Sequence, residues 1–250
     1  MKLFIRINRR QNDYRSRAEG IIRKLVENGF EVSLFKVDAR AVFSSEEYAS
    51  FGVEESDYVV SIGGDGTFLK GGLLAATYDK PVFGVNIGRL GYLCRFDEKS
   101  LETLTPEVLT GCPIEEKMLL EVSDSELLAI NDVVIGKDYF GTSVELQVEA
   151  KGHAPYSVRG DGVIVSTPLG STGYNESAGG PLIEGENSIV ITPICASNKA
   201  KPLIVNKDCV IKVRNINPSY GASVYIDGVR IEWNGTVEVR MAERKLKKVV

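Results

Sequence analysis

At 250 residues the chain has room for one large domain or two modest ones, each with its own core. Hydrophobic residues make up 43% and charged residues 26%, the balance of a soluble globular protein, and a formal net charge of -4 argues against a nucleic-acid partner held on a basic surface. No run approaches the roughly 20 apolar residues of a membrane span, and MKLFIRINRR lacks the apolar core of a signal peptide, so a cytoplasmic protein without membrane contact is expected.

The first hundred residues alternate strand and helix signals. KLFIRI at 2–7 reads as a strand, and Asp13 is placed to cap a helix whose apolar positions Ala18, Ile21, Ile22, Leu25 and Val26 recur at helical spacing until Gly29. EVSLF at 31–35, YVVSI at 58–62 and PVFGV at 81–85 read as three more strands, with a helix over 66–77. The β-α-β rhythm predicts a parallel sheet under covering helices, with ligands gathered beyond the carboxyl ends of its strands. The glycine-rich stretches fall at those ends.

From about residue 113 the pattern changes to short apolar runs: KMLLEV, LLAINDVVI, VELQVEA, GVIVSTP, SIVITPI, CVIKV, SVYIDG and TVEVRM. Separated by Gly, Asn, Asp and Pro, they predict a β-rich second domain with sandwich architecture. The expected division is an α/β domain over 1–97 and a sandwich domain over 98–233, joined through 97–113. The basic run Arg244, Lys245, Lys247 and Lys248 reads as a solvated helix face. One histidine, His153, rules out a multi-histidine metal site and leaves acid–base work to carboxylates. Cys94, Cys112, Cys195 and Cys209 form no C-x-x-C pair, so they are expected to be reduced and mostly buried, with no zinc or dithiol site.

Three stretches carry chemistry. GGDGT, Gly63 to Thr67, follows a strand and opens a helix. Gly63, Gly64 and Gly66 let the backbone approach a ligand, and the helix start with Thr67 offers donors to a phosphate, with Asp65 pointing into the site. The same residues also suit a plain strand-to-helix turn in which Asp65 caps the helix. Neither the Walker lysine motif nor G-x-G-x-x-G occurs, which disfavours a standard dinucleotide-binding dehydrogenase. GVNIGRLGYL at 84–93 follows the next strand, with Asn86 and Tyr92 as candidate ligand contacts or as parts of a turn and core. GDGVIVSTPLGSTGYNESAGGP, Gly160 to Pro181, begins as a strand and dissolves into small hydroxyl residues and glycines around one tyrosine. That composition lets donors approach a flat polar ligand such as a base and ribose.

In this order and spacing, GGDGTFL, the N-x-G-x-L-G-Y-L within 86–93, NDVVI at 131–135 and the 160–181 block resemble the NAD kinase family over nearly the whole chain. GGDGT is shared with lipid and sugar kinases, whereas the 160–181 block is specific to NAD kinases. The resemblance implies a Rossmann-like α/β domain with a parallel sheet plus a C-terminal β-sandwich domain, whose last segment, about 234–250, packs back on the first. It implies phosphoryl transfer to the 2′-hydroxyl of the adenosine ribose of NAD from ATP or another donor. The cofactor would be Mg²⁺, or another divalent cation, bound mainly through donor phosphates rather than by a protein metal site. It further implies a homodimer or homotetramer.

By the same resemblance Asp65 is the carboxylate beside the 2′-hydroxyl, with Gly63, Gly64, Gly66 and Thr67 on the donor or product phosphate. Asn131 and Asp132 would hold ribose and adenine, Asp161 would face the nicotinamide riboside, and Gly66, Tyr92, Thr172, Gly173, Tyr174 and Ser177 would complete the NAD contacts. The chain departs from the family at Asp132, where glutamate is usual, at Leu169 and Gly173, and in lacking a Pro-His pair within 191–205. Two alternatives remain at this point, a GGDGT-type lipid or sugar kinase and a non-catalytic NAD or NADP sensor.

Overall fold

The computed structural model describes residues 1–8, 13–88, 91–219 and 221–250. They divide into two compact units, Met1–Glu116 with Lys245–Val250, and Lys117–Arg244. In the first unit the elements are β1 (Lys2–Ile7), α1 (Tyr14–Glu27), β2 (Glu31–Leu34), α2 (Lys36–Phe43), β3 (Tyr58–Gly63), α3 (Asp65–Thr77), β4 (Val82–Asn86), β5 (Phe96–Asp97) and α4 (Pro106–Thr110). The sheet is parallel in the order β2-β1-β3-β4, with β5 beside the end of β4. From β1 the chain goes out to β2 and then returns to the other side of β1 as β3, so the strand order reverses between β1 and β3. A crevice opens at such a switch point, at the carboxyl ends. Here those ends are Ile7 and Gly63, with the Asn8 amide donating to Ile62 O at 3.1 Å.

The helical stripe of α1 forms as its spacing predicts, with Ala18, Ile21, Ile22 and Leu25 buried, while Val26 is exposed. Asp13 does not cap with its side chain: it takes a left-handed φ of 60°, and its carbonyl receives the Arg17 amide instead. Helix α2 was not signalled by the sequence pattern. The first unit takes in the 97–113 segment expected to join the two domains, because Leu101, Leu104 and Leu109 lie in its core. Asn28 Nδ2 also ties their segment to the end of α1, donating to Leu101 O at 2.7 Å and Leu104 O at 2.9 Å. Only residues from Lys245 return to this unit. They are extended, with Lys248 paired to Val82 and Lys247 Nζ on Asp79 at 2.8 Å, so the basic run is part of a strand and not a helix face.

The second unit begins within β6 (Ile114–Val122) and continues through β7 (Leu128–Ala129), β8 (Asp132–Lys137), β9 (Val144–Ala150), β10 (Tyr156–Gly160) and β11 (Gly162–Ser166). After a 3-10 turn at Leu169–Thr172 come α5 (Tyr174–Ser177), β12 (Ser188–Ile194), β13 (Leu203–Asn206), β14 (Ile211–Asn215), β15 (Ala222–Ile226), β16 (Val229–Ile231) and β17 (Thr236–Val249). One antiparallel sheet has the order β13-β12-β11-β8-β15-β16, and facing it are β10-β9-β14-β17, with β6 on β17 and β7 on β6. Strand β9 shows why they stack: Val144, Leu146, Val148 and Ala150 point inward while Glu145, Gln147 and Glu149 do not. Their partners across the core include Val133, Ile135, Val163, Val165, Ile189 and Ile191. Of the thiols, Cys209 is buried, Cys94 and Cys112 are half-buried and Cys195 is exposed, so burial is less general than expected; none is paired.

Candidate functional site

In the first unit the site grows from the β3–α3 turn. Gly63 ends β3 where Thr67 folds back on it, and a Cβ there would lie 2.3 Å from Thr67 Oγ1. Thr67 is therefore buried against the turn. Gly64 is the N-cap of α3, its carbonyl receiving the Thr67 and Phe68 amides at 2.9 and 3.1 Å. The Asp65 and Gly66 amides have no acceptor among the described residues. They form the positive end of the helix.

Asp65 does not cap α3. Its Oδ2 accepts the Tyr92 amide at 3.0 Å and its Oδ1 the Leu93 amide at 3.1 Å, so the carboxylate is latched to the loop after β4. Gly91 makes the approach possible, because a Cβ there would sit 2.6 Å from Asp65 Oδ1. Tyr92 is 78% exposed. Asn86 turns the chain by accepting the Gly88 amide at 2.9 Å, and Arg17 of α1 holds the same loop through Ile87 O while binding Glu98 at 2.7 and 2.9 Å. Arg89 and Leu90 of the glycine-rich stretch lie outside the described residues. Burial, with a smaller contribution from the charge of Asp65, pushes the neighbouring Cys94 thiol up to about 12, so it stays protonated.

In the second unit a cavity of about 500 Å³ is lined by Asp132, Lys137, Phe140, Asp161, Tyr174 and Tyr225 among others. Of the residues singled out in the sequence, Asp132, Asp161 and Tyr174 line it. Thr172 ends the preceding 3-10 turn, Gly173 is the N-cap of α5 and Ser177 closes that helix, with the Thr172 and Ser177 hydroxyls donating to Leu169 O and Gly173 O, each at 3.4 Å. Asp161 is paired with Lys137 at 2.6 Å. Lys137, Tyr225 and the fully exposed Phe140 were not anticipated, although an aromatic pair between two strands, Tyr139–Phe140, was a signal for the last.

The 166–181 segment is held from within. Buried Asn175 donates through Nδ2 to Ser171 O and Pro181 O, both at 2.9 Å, and accepts the Thr192 hydroxyl at 2.6 Å. Gly170 lies against Asn131, where a Cβ would be 2.1 Å from Asn131 O. Asn131 Oδ1 is buried with no partner among the described residues. Asp132 is only 8% exposed, and burial first, then the charge of Asp227, pushes its carboxyl up to about 7. Burial also raises Tyr174, helped by Cys195, Asp161 and Asp132. Asp227, which the sequence pattern did not mark as a site residue, accepts the amides of Ile130, Asn131 and Asp132. Among the described residues no group of three or more His, Cys, Asp or Glu could hold a metal ion.

Residues 31–112 match the family profile described as the ATP-NAD kinase N-terminal domain, and residues 130–250 match that of the ATP-NAD kinase C-terminal domain. The NAD kinase of Burkholderia ambifaria (strain MC40-6) is 34% identical over 243 residues, covering 90% of this chain and 79% of that protein. The NAD kinase of Acetivibrio thermocellus is 37% identical over 187 residues, covering 70% and 65%. Among solved structures, an NAD kinase from Archaeoglobus fulgidus in complex with ATP has a TM-score of 0.78 at 25% identity, covering 100% of this chain and 94% of that one. Yeast NADH kinase complexed with NADH has a TM-score of 0.82 at 22% identity, covering 100% and 83%, a likeness of fold alone.

The elevated pKa of Asp132 has a stability consequence. A carboxyl that holds its proton more tightly in the fold than in the unfolded chain loses stability as pH rises from the ordinary carboxylate value through about 7. Asn cannot ionise, so Asp132→Asn is expected to raise the urea midpoint relative to the parent protein more at pH 8 than at pH 5. An equal difference at both pH values would contradict the desolvation of this side chain.

Proposed function

The chain belongs to the NAD kinase family, and from that premise we propose that it transfers the terminal phosphoryl group of ATP to the adenosine 2′-hydroxyl of NAD, with Asp65 beside that hydroxyl. It is a phosphotransferase whose acceptor is NAD and whose product is NADP. The observation that carries the role of Asp65 is its position at the first turn of α3, carboxylate latched by two amides. Each carboxylate oxygen has lone pairs beyond the one facing its amide, so the group can still accept the hydroxyl proton. Phosphoryl transfer has a loose transition state that asks for orientation and charge stabilisation more than for a strong base. As the new O–P bond forms and the bond to ADP breaks, the proton passes to Asp65. The Asp65 and Gly66 amides favour a phosphate at the helix end, with Gly63 and Gly64 shaping the turn and Thr67 bracing it from beneath.

In the second unit Asn131 and Asp132 are proposed to hold ribose and adenine, Asp161 the nicotinamide riboside, and Thr172, Gly173, Tyr174 and Ser177 the base-binding surface; Tyr92 of the first unit is a further proposed contact. Asn131 Oδ1, buried without a partner among the described residues, and the desolvated Asp132 carboxyl support this. Magnesium is proposed to ride on the donor phosphates, where it neutralises charge. No step is assigned to the cation itself. No helix among them is long and apolar enough to cross a membrane. Cytoplasmic residence and a homodimer or homotetramer complete the proposal.

Asp65→Asn removes basicity and sets an NH₂ group against one of the two latch amides. Turnover is expected to fall by about a hundredfold to ten-thousandfold, while calorimetric NAD affinity changes by no more than about tenfold. Parental turnover in this variant would reduce Asp65 to a latch. NADP formation from NAD and ATP is expected to stop in EDTA and return with Mg²⁺; an unchanged rate in EDTA would overturn the cation assignment. Light scattering should find a dimer or tetramer in the soluble cell fraction, and a fully active monomer, or recovery from membranes, would contradict that part.

A further inference from the structure

Every backbone polar group of Ile130, Asn131 and Asp132 is accounted for within the second unit. Their three amides all donate to the Asp227 carboxylate, at 2.7 Å from Ile130, 2.9 Å from Asn131 and 3.1 Å from Asp132. The Ile130 carbonyl accepts the Thr167 hydroxyl at 2.6 Å, the Asn131 carbonyl the Thr167 amide at 2.9 Å, and the Asp132 carbonyl the Asp227 amide at 3.0 Å. Asp227 is thus donor and acceptor to one short segment, with Thr167 closing it from the opposite side. The carboxylate is carried on the Asp227–Gly228 turn between β15 and β16, with φ values of 44° and 79°, the pair of left-handed conformations that a two-residue hairpin requires.

We infer that Asp227 is a positioning residue for the acceptor substrate: it does not line the cavity, but its three-amide cradle fixes the backbone from which Asn131 and Asp132 project. The inference rests on the proposed role of Asn131 and Asp132 in holding NAD. Because the backbone is satisfied by Asp227 and Thr167, the two side chains are left for a ligand: Asn131 Oδ1 is buried without a partner among the described residues, and the Asp132 carboxyl lines the cavity, perturbed by burial and the charge of Asp227. Three N–H donors on one ionised acceptor also make a stronger clamp than neutral bonds would. An amide at 227 offers one acceptor oxygen and turns an NH₂ group toward an N–H, so no rotamer of Asn reproduces the cradle.

The experiment compares Asp227→Asn, Thr167→Val, Asn131→Ala and Asp132→Ala in full-length enzyme, with kcat and KM measured for each substrate and the folded fraction checked by circular dichroism. In Asp227→Asn and Thr167→Val the KM for NAD is expected to rise about tenfold or more, with the KM for ATP unchanged and kcat altered by less than about threefold. A purely structural role would remove active enzyme, lowering apparent kcat at constant KM for NAD, and that pattern overturns the inference. If Asp227→Asn does not fold, Thr167→Val tests the opposite side of the same clamp, and Thr167→Ser, which keeps the hydroxyl, is expected to restore the KM. A parental KM for NAD in Asn131→Ala and Asp132→Ala would sink the proposed binding role itself. A raised KM in those two with a parental KM in both clamp variants would sink the positioning role alone.

Discussion

The Asp227 carboxylate, buried and receiving three consecutive backbone amides, is the interaction on which the second unit's site depends. It joins the start of β8 to the far end of its neighbour β15, and Thr167 at the end of β11 holds the same segment from the other side. Three adjacent strands of one sheet therefore converge on three residues. The first unit uses the same chemistry in the opposite sense. There the backbone amides of Tyr92 and Leu93 serve the side chain, holding Asp65 still, whereas at Asp227 the side chain serves the backbone. Both arrangements place a carboxylate where amides prepay part of its desolvation.

That difference decides where charge resides in the second unit. Burial raises both Asp132 and Asp227, but the three amides oppose the rise at Asp227 and nothing comparable does so at Asp132. The negative charge belongs on Asp227, and its presence disfavours a second one nearby. Asp132 then keeps its proton close to neutrality and can donate a hydrogen bond as well as accept one. A carboxyl in that state offers both polarities to a polar ligand in the cavity it lines.

The parallel sheet was legible because β1, β3 and β4 are short, mainly apolar runs, the last two followed by glycine-rich stretches, and the sandwich because strands such as β9 alternate strictly. What escaped was decided by contacts rather than pattern. The eight residues of α2 carry no periodic stripe long enough to declare a helix, and Asp13 looks like a cap until the chain enters α1 through a left-handed turn. The first unit runs to Glu116, close to the change of pattern at about 113, because Leu101, Leu104 and Leu109 lie in its core. Asp227 was visible only as part of an Asp-Gly turn, since the amides it receives lie 95 to 97 positions earlier.

The glycines of the motifs show how far composition can be read as chemistry. A glycine-rich loop can mean that a ligand comes close, or that the protein's own backbone does. Gly63 and Gly170 are of the second kind: a side chain there would strike Thr67 and the Asn131 carbonyl, so these positions hold the site together from behind. At Gly64 and Gly66 a Cβ would meet nothing within 4 Å and the Gly66 amide has no acceptor among the described residues, so the protein's own packing does not account for these two. The part of the motif that packing leaves open to a ligand is therefore narrower than the motif itself. Composition does not tell the two kinds apart; what a side chain would meet at each position does.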